Sequence, residues 1–117
     1  MKIKSLEDLQ KRLADFAGAR NWDQFHSPKN LSIALSVEAS ELLEIFQWLT
    51  EEESKNLNSE QLTETEQEVA DVLLYLLQLS DKLNINILEA AYKKLDANDK
   101  KYPVEACFGS AKKYTKL

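Results

Sequence analysis

Two long apolar runs in this chain each carry a pair of acids three residues apart, and that spacing constrains the fold more than any other feature. The first run, Leu31-Ser32-Ile33-Ala34-Leu35-Ser36-Val37-Glu38-Ala39-Ser40-Glu41-Leu42-Leu43, holds Glu38 and Glu41. The second, Glu68-Val69-Ala70-Asp71-Val72-Leu73-Leu74-Tyr75-Leu76-Leu77, holds Glu68 and Asp71. Residues at i and i+3 lie side by side on an α-helix, so each pair forms a two-carboxylate row. Two Gly and two Pro in 117 residues, with long runs of Leu, Ala, Glu and Lys, agree with an almost wholly helical chain.

A carboxylate facing a core is strongly unfavourable unless something positive compensates it. No Lys or Arg lies between Leu31 and Leu49, or between Gln61 and Asp81, to do so from the same helix. Antiparallel packing would face the two rows and close a four-carboxylate cage from Glu38, Glu41, Glu68 and Asp71. Oxygen-only ligands select a hard divalent cation, Mg²⁺ with Mn²⁺ as a substitute. The other acids, Glu44, Glu51 to Glu53, Glu60, Glu64 and Glu66, read as ordinary solvated helix acids. A ferritin-like di-iron bundle needs Glu-x-x-His on two helices. The single histidine, His26, lies outside both motifs, which removes that reading.

The periodicity predicts four helices and a short fifth. The first starts at Ser5, with Leu6, Leu9, Leu13, Phe16 and Ala17 as its apolar stripe, and ends near Gly18. An aromatic loop, Arg20 to His26, follows, and Ser27-Pro28 caps a second helix running to Leu49. Thr50 caps a short helix over the acids that follow. The polar stretch Lys55 to Thr65 reads as a loop. A third helix covers Glu66 to Leu83, a break falls at Asn84 to Asn86, and a fourth runs from Ile87 to Lys101, stopped by Pro103. The tail beyond Val104 has no clear period. The third helix is apolar nearly all round, so the expected architecture is an all-α bundle of four to five helices forming a homo-oligomer.

A chain of this length makes one domain, 1–117. Its net charge of −5 argues against binding to a nucleic acid polymer. The apolar stretch from Val69 to Leu79 is too short for a bilayer, and Met1 to Asp8 lacks a signal-peptide core. With Cys107 as the lone cysteine, a cytoplasmic protein without membrane contact is expected.

An ordered set of motifs resembles the MazG-like, all-α nucleoside triphosphate pyrophosphohydrolases, whose signature is Glu-x-x-Glu on one helix and Glu-x-x-Asp on the next. Within that family the likeness is to the dCTP pyrophosphatase group. It rests on Asn21-Trp22-Asp23-Gln24-Phe25-His26-Ser27-Pro28-Lys29-Asn30-Leu31, Glu41-Leu42-Leu43-Glu44-Ile45-Phe46-Gln47-Trp48 and Asp71-Val72-Leu73-Leu74-Tyr75-Leu76. It continues in Lys94-Leu95-Asp96-Ala97-Asn98-Asp99-Lys100-Lys101-Tyr102-Pro103 and closes with Gly109-Ser110-Ala111-Lys112-Lys113-Tyr114-Thr115. Relatives often carry Gly or another Glu among the non-ligand positions of Ser36 to Glu41. The segment Thr50 to Thr65 matches poorly.

The resemblance implies Mg²⁺-dependent hydrolysis of a (deoxy)nucleoside triphosphate, dCTP or a related one, to monophosphate and pyrophosphate. Glu41 is the expected general base. Trp22, His26, Trp48 and Tyr75 are expected to hold the base by stacking. Lys94, Asn98 and Lys101 recur at helical spacing as donors for phosphate or sugar, and the Tyr102 ring suits a deoxyribose. In the tail, Lys112 and Lys113 are expected to close over the triphosphate, of their own or a neighbouring subunit. The family habit makes the oligomer a dimer of dimers. The alternatives are a catalytically dead interaction or metal-binding module of the same fold, against which the intact four-acid set argues, and a purely structural helical bundle, whose acids would tolerate replacement and bind no Mg²⁺.

Overall fold

The computed structural model describes residues 5–112 and Thr115, and among these the chain is helical without strands. Lys113 and Tyr114, named above, lie outside the described residues. Six helices follow in order: α1 (Leu6–Ala19), α2 (Pro28–Phe46), α3 (Glu51–Ser54), α4 (Ser59–Lys82), α5 (Ile87–Lys101) and α6 (Val104–Cys107). The chain divides into two compact units, Met1–Asn84 and Ile85–Leu117.

Local chemistry sets most boundaries. Ser5 caps α1 by accepting from the Asp8 N–H at 3.2 Å, and Ser27 caps α2 by accepting from Asn30 N–H at 3.1 Å, with Pro28 opening the helix. α2 ends at Phe46, short of the expected Leu49: the Leu49 N–H closes a turn on Phe46 O at 2.9 Å, and Thr50 turns extended to cap α3. There a reciprocal capping box joins Thr50 and Glu53, and these bonds hold the Glu53 carboxyl below its ordinary value.

The expected loop from Lys55 to Thr65 is a correction. α4 begins at Ser59 because Asn58 and Gln61 form a second capping box, Gln61 N–H to Asn58 Oδ1 at 2.8 Å and Asn58 N–H to Gln61 Oε1 at 3.0 Å. The polar composition there is the first, solvated turns of a helix. Asn84, at φ 54°, takes the left-handed conformation that asparagine tolerates and stops the chain after α4. The tail adds the single-turn α6, which its sequence did not announce.

In the first unit α2 packs along α4 as the most extensive helix pair, and α1 packs on α4 as well. Leu31, Leu77 and Ala17 form the buried centre of these contacts. A polar tie joins α1 to α4, where Gln10 Nε2 donates to Leu77 O at 3.0 Å; the buried Ser80 hydroxyl is satisfied within α4 by donating to Leu76 O at 2.8 Å. A row of apolar side chains stays outside this core, Ile33, Val37 and Leu43 on α2 and Leu62, Val69 and Leu73 on α4. The second unit is α5 and α6. Asn86 caps α5, and a Lys93–Glu89 ion pair at 3.0 Å lies along its surface.

Candidate functional site

α2 and α4 bring Glu38, Glu41 and Glu68 together, with one carboxylate oxygen from each within 4.8 Å of the others. Glu41 and Glu68 also border a cleft of about 350 Å³ lined by Glu44, Ile45, Glu64 and Gln67. As numbers rise from Glu38 to Glu44 on α2, they fall from Glu68 to Glu64 on α4, the relation of antiparallel helices. The Glu38–Glu41 row therefore meets Glu68, while Asp71 stays outside, so the expected four-carboxylate cage is a cluster of three. Glu44 and Glu64, expected to be ordinary surface acids, line this cleft; their positions three and four residues from Glu41 and Glu68 were the signal for it.

The cluster is electrostatically unfavourable as it stands. Burial pushes the Glu38 carboxyl up to about 7; the nearby carboxyls of Glu68 and Glu41 and the charge of Asp71 push in the same direction. Burial likewise raises Glu68. Glu38 Oε2 and Glu68 Oε2 are buried without a hydrogen-bond partner. Three converging carboxylates with two orphaned oxygens fit a hard divalent cation.

A stability prediction follows from the sign of these shifts. A carboxyl whose folded pKa exceeds its unfolded one keeps its proton longer in the native state. For Glu38 the ordinary value is 4.5 and the folded value about 7, so the destabilisation grows as pH rises between the two and is complete above them. Metal-free protein should melt at a lower temperature at pH 8 than at pH 5.5. Divalent cation should raise the pH 8 melting point more than the pH 5.5 one, because it competes with protons for the same oxygens. Equal melting points with no cation effect at pH 8 would contradict the site.

A second cleft, about 150 Å³, opens beside the fourth acid. Trp22, His26, Phe16 and Leu13 form one side, and Asp71, Leu74, Tyr75 and Gln78 of α4 the other. That is small against the roughly 300–1,000 Å³ of a typical ligand pocket and suits one flat ring. Phe16 and Trp22 meet edge to face at 5.6 Å, and Trp22 and His26 do so at 6.4 Å. Phe16 stands on α1, while Trp22 and His26 flank a single 3₁₀ turn, Asp23–Phe25, whose ends are tied down. Lys82 Nζ reaches Asp23 Oδ1 at 3.2 Å, and Asn30 Nδ2 donates to Phe25 O at 3.0 Å.

The structure thus brings together Glu38, Glu41 and Glu68 in one cluster and Trp22, His26, Tyr75 and Asp71 in the neighbouring cleft. Asp71 stands outside the three-oxygen cluster, though its charge acts on Glu38 and Glu68. Trp48 lies past the end of α2, 86% exposed and outside the cleft lining. Lys94, Asn98, Lys101 and Tyr102 belong to the second unit, on α5 and its C-cap, where Tyr102 N–H bonds Asn98 O at 2.9 Å. Sequence reasoning missed Gln78, which completes the i, i+4, i+7 row begun by Asp71 and Tyr75.

Comparison with known proteins places the chain in a family. The model of the MazG-like family matches residues 33–117. The chain is 39% identical over 115 residues to dCTP pyrophosphatase 1 of Bos taurus, covering 97% of this chain and 68% of the bovine protein. It is 37% identical over 115 residues to the Homo sapiens protein of the same name, with the same coverage of 97% and 68%. The crystal structure of a pyrophosphatase from Archaeoglobus fulgidus matches with a TM-score of 0.80 at 42% identity, over 87% of this chain and 99% of that one. Fold, site and relatives define the class, an all-helical nucleoside triphosphate pyrophosphohydrolase. The chain belongs to the MazG-like family.

Proposed function

We propose that this chain hydrolyses deoxynucleoside triphosphates to monophosphate and pyrophosphate with Mg²⁺ as cofactor, clearing dCTP or 5-substituted dCTP from the nucleotide pool. The observation that carries the reading is the Glu38–Glu41–Glu68 cluster with its two unpartnered buried oxygens, set beside a ring-sized aromatic cleft. The two dCTP pyrophosphatases named above support the choice of base.

Glu38, Glu41, Glu68 and, from the edge of the cleft, Asp71 would hold the cation. When bound, such an ion supplies charge neutralisation on the triphosphate and polarisation of water, with Mn²⁺ a substitute. Glu41 borders both the cluster and the open acidic cleft, which suits it to take a proton from the attacking water. Trp22, His26 and Tyr75 hold the base in the cleft they line. Lys94, Asn98 and Lys101 provide donors for phosphate and sugar, and Tyr102 a ring for the deoxyribose. The exposed apolar rows of α2 and α4 support assembly as a dimer of dimers. No helix among the described residues is long and apolar enough to cross a membrane. The reading sets the enzyme in the cytoplasm, free of nucleic acid polymers, where its single thiol stays reduced.

The test is pyrophosphate release from the eight canonical (d)NTPs with and without Mg²⁺. Activity should require the cation and kcat/KM should favour deoxyribonucleotides, with dCTP among the best. A preference for ribonucleotides, or for dUTP over dCTP, would sink the substrate assignment. Release unaffected by chelator would sink the cofactor.

A further inference from the structure

Three buried side-chain oxygens among the described residues lack a hydrogen-bond partner: Glu38 Oε2, Glu68 Oε2 and Gln78 Oε1. The first two belong to the acid cluster. The third has no part in it. Gln78 lines the aromatic cleft with Trp22, His26 and Tyr75, and it also lines a cavity of about 20 Å³ with Gln10, Asp23, Asp81 and Lys82. A buried carbonyl oxygen without a donor is uncommon and destabilising, so its position marks where a donor is wanted.

Two donors of these linings are engaged elsewhere, and the ring donors of Trp22, His26 and Tyr75 make no bond to the Gln78 oxygen. Lys82 Nζ is on Asp23 Oδ1 at 3.2 Å, and Gln10 Nε2 is on Leu77 O at 3.0 Å. The other charged groups of the two linings, Asp71 and Asp81, are acceptors on the same helix. Asp81 lines the same small cavity as Gln78 and, being an acceptor, offers the amide oxygen no donor. The cleft therefore combines ring walls, which accept any base, with one acceptor that none of these donors fills.

We propose that Gln78 is a specificity-determining residue of the cleft: its Oε1 accepts a hydrogen bond from the exocyclic amino group of the substrate's base. The inference rests on the nucleotide reading above and names the atom that reads the base. Cytosine and adenine present an amino donor at the equivalent edge position, whereas uracil and thymine present a carbonyl oxygen. Against Gln78 Oε1 a carbonyl meets an acceptor. Discrimination of about tenfold is expected from one such bond made or left unmade in a closed site.

The test is kcat/KM of the full chain with Mg²⁺ for dCTP and dATP against dUTP and dTTP, in wild type and Gln78→Met. Methionine keeps the length and apolar stem but removes the acceptor; Gln78→Ala serves if the methionine variant does not fold. The dCTP to dUTP ratio should fall about tenfold, with dCTP turnover lowered and dUTP turnover not lowered. If both substrates fall together, the amide is only a structural group, its oxygen met by a water that the 20 Å³ cavity can hold, and the inference is overturned. An active wild type without preference for amino bases overturns it too, leaving the pyrophosphohydrolase reading intact. A wild type that releases pyrophosphate from no dNTP overturns both.

Discussion

Glu41→Ala and Glu68→Ala should each lower pyrophosphate release by about 10²–10³-fold or more, the scale on which removal of one electrostatic stabiliser of a transition state is felt. The helical circular dichroism signal should persist in both. Each side chain contributes an oxygen to the three-carboxylate cluster, and neither contributes to the buried centre formed by Leu31, Leu77 and Ala17. Removing either acid also relieves repulsion on Glu38, whose carboxyl Glu41 and Glu68 both push up. The metal-free variants should therefore melt at or above the wild-type temperature at pH 8 while binding Mg²⁺ more weakly. That pairing separates a lost ligand from a damaged fold, which would lower activity and melting point together. Asp71→Ala should also lose turnover, though Asp71 stands in the aromatic cleft and outside the cluster. Wild-type rates in Glu41→Ala or Glu68→Ala would remove the metal site from the mechanism.

The acid rows were legible because helix geometry alone places i beside i+3, and a charged row inside an apolar run has few stable explanations. The caps at Ser5, Ser27 and Thr50 were legible for a similar reason, since each is a local bond between neighbours in sequence. The box at Asn58 is equally local, but it opens a polar stretch whose first turns carry no apolar stripe to reveal a helix. What sequence could not give was the distribution of side chains over two sites. Glu38, Glu41 and Glu68 share one cluster while Asp71 looks into the next cleft, and that depends on how α2 meets α4 along their length. Gln78 was missed because an amide in a leucine-rich run has no spacing rule of its own. Only the absence of a donor in three dimensions singles it out.

Leu62→Glu and Val69→Glu should weaken self-association by at least about tenfold, while the wild-type chain should scatter light at about four times its 13.4 kDa mass. Leu62, Val69 and Leu73 are spaced seven and four residues apart, which puts them in one stripe on α4. All three are exposed in the single chain, at 53%, 51% and 36%. A contiguous apolar stripe in water is a liability unless another surface covers it. Ile33 and Val37, four residues apart on α2, add a second exposed stripe. At 3.6 residues per turn the α4 stripe lies about a third of a turn round the helix from Glu68, so a charge on it leaves the metal-binding face untouched. Its effect on the isolated chain should be small because these side chains bury little there. Its effect in an interface should be large, because an unpaired carboxylate would be taken out of water. Light scattering at micromolar concentration with Mg²⁺ binding as control checks the prediction. A wild-type monomer, or glutamate variants that associate as well as wild type, would overturn the assembly and leave the metal site standing.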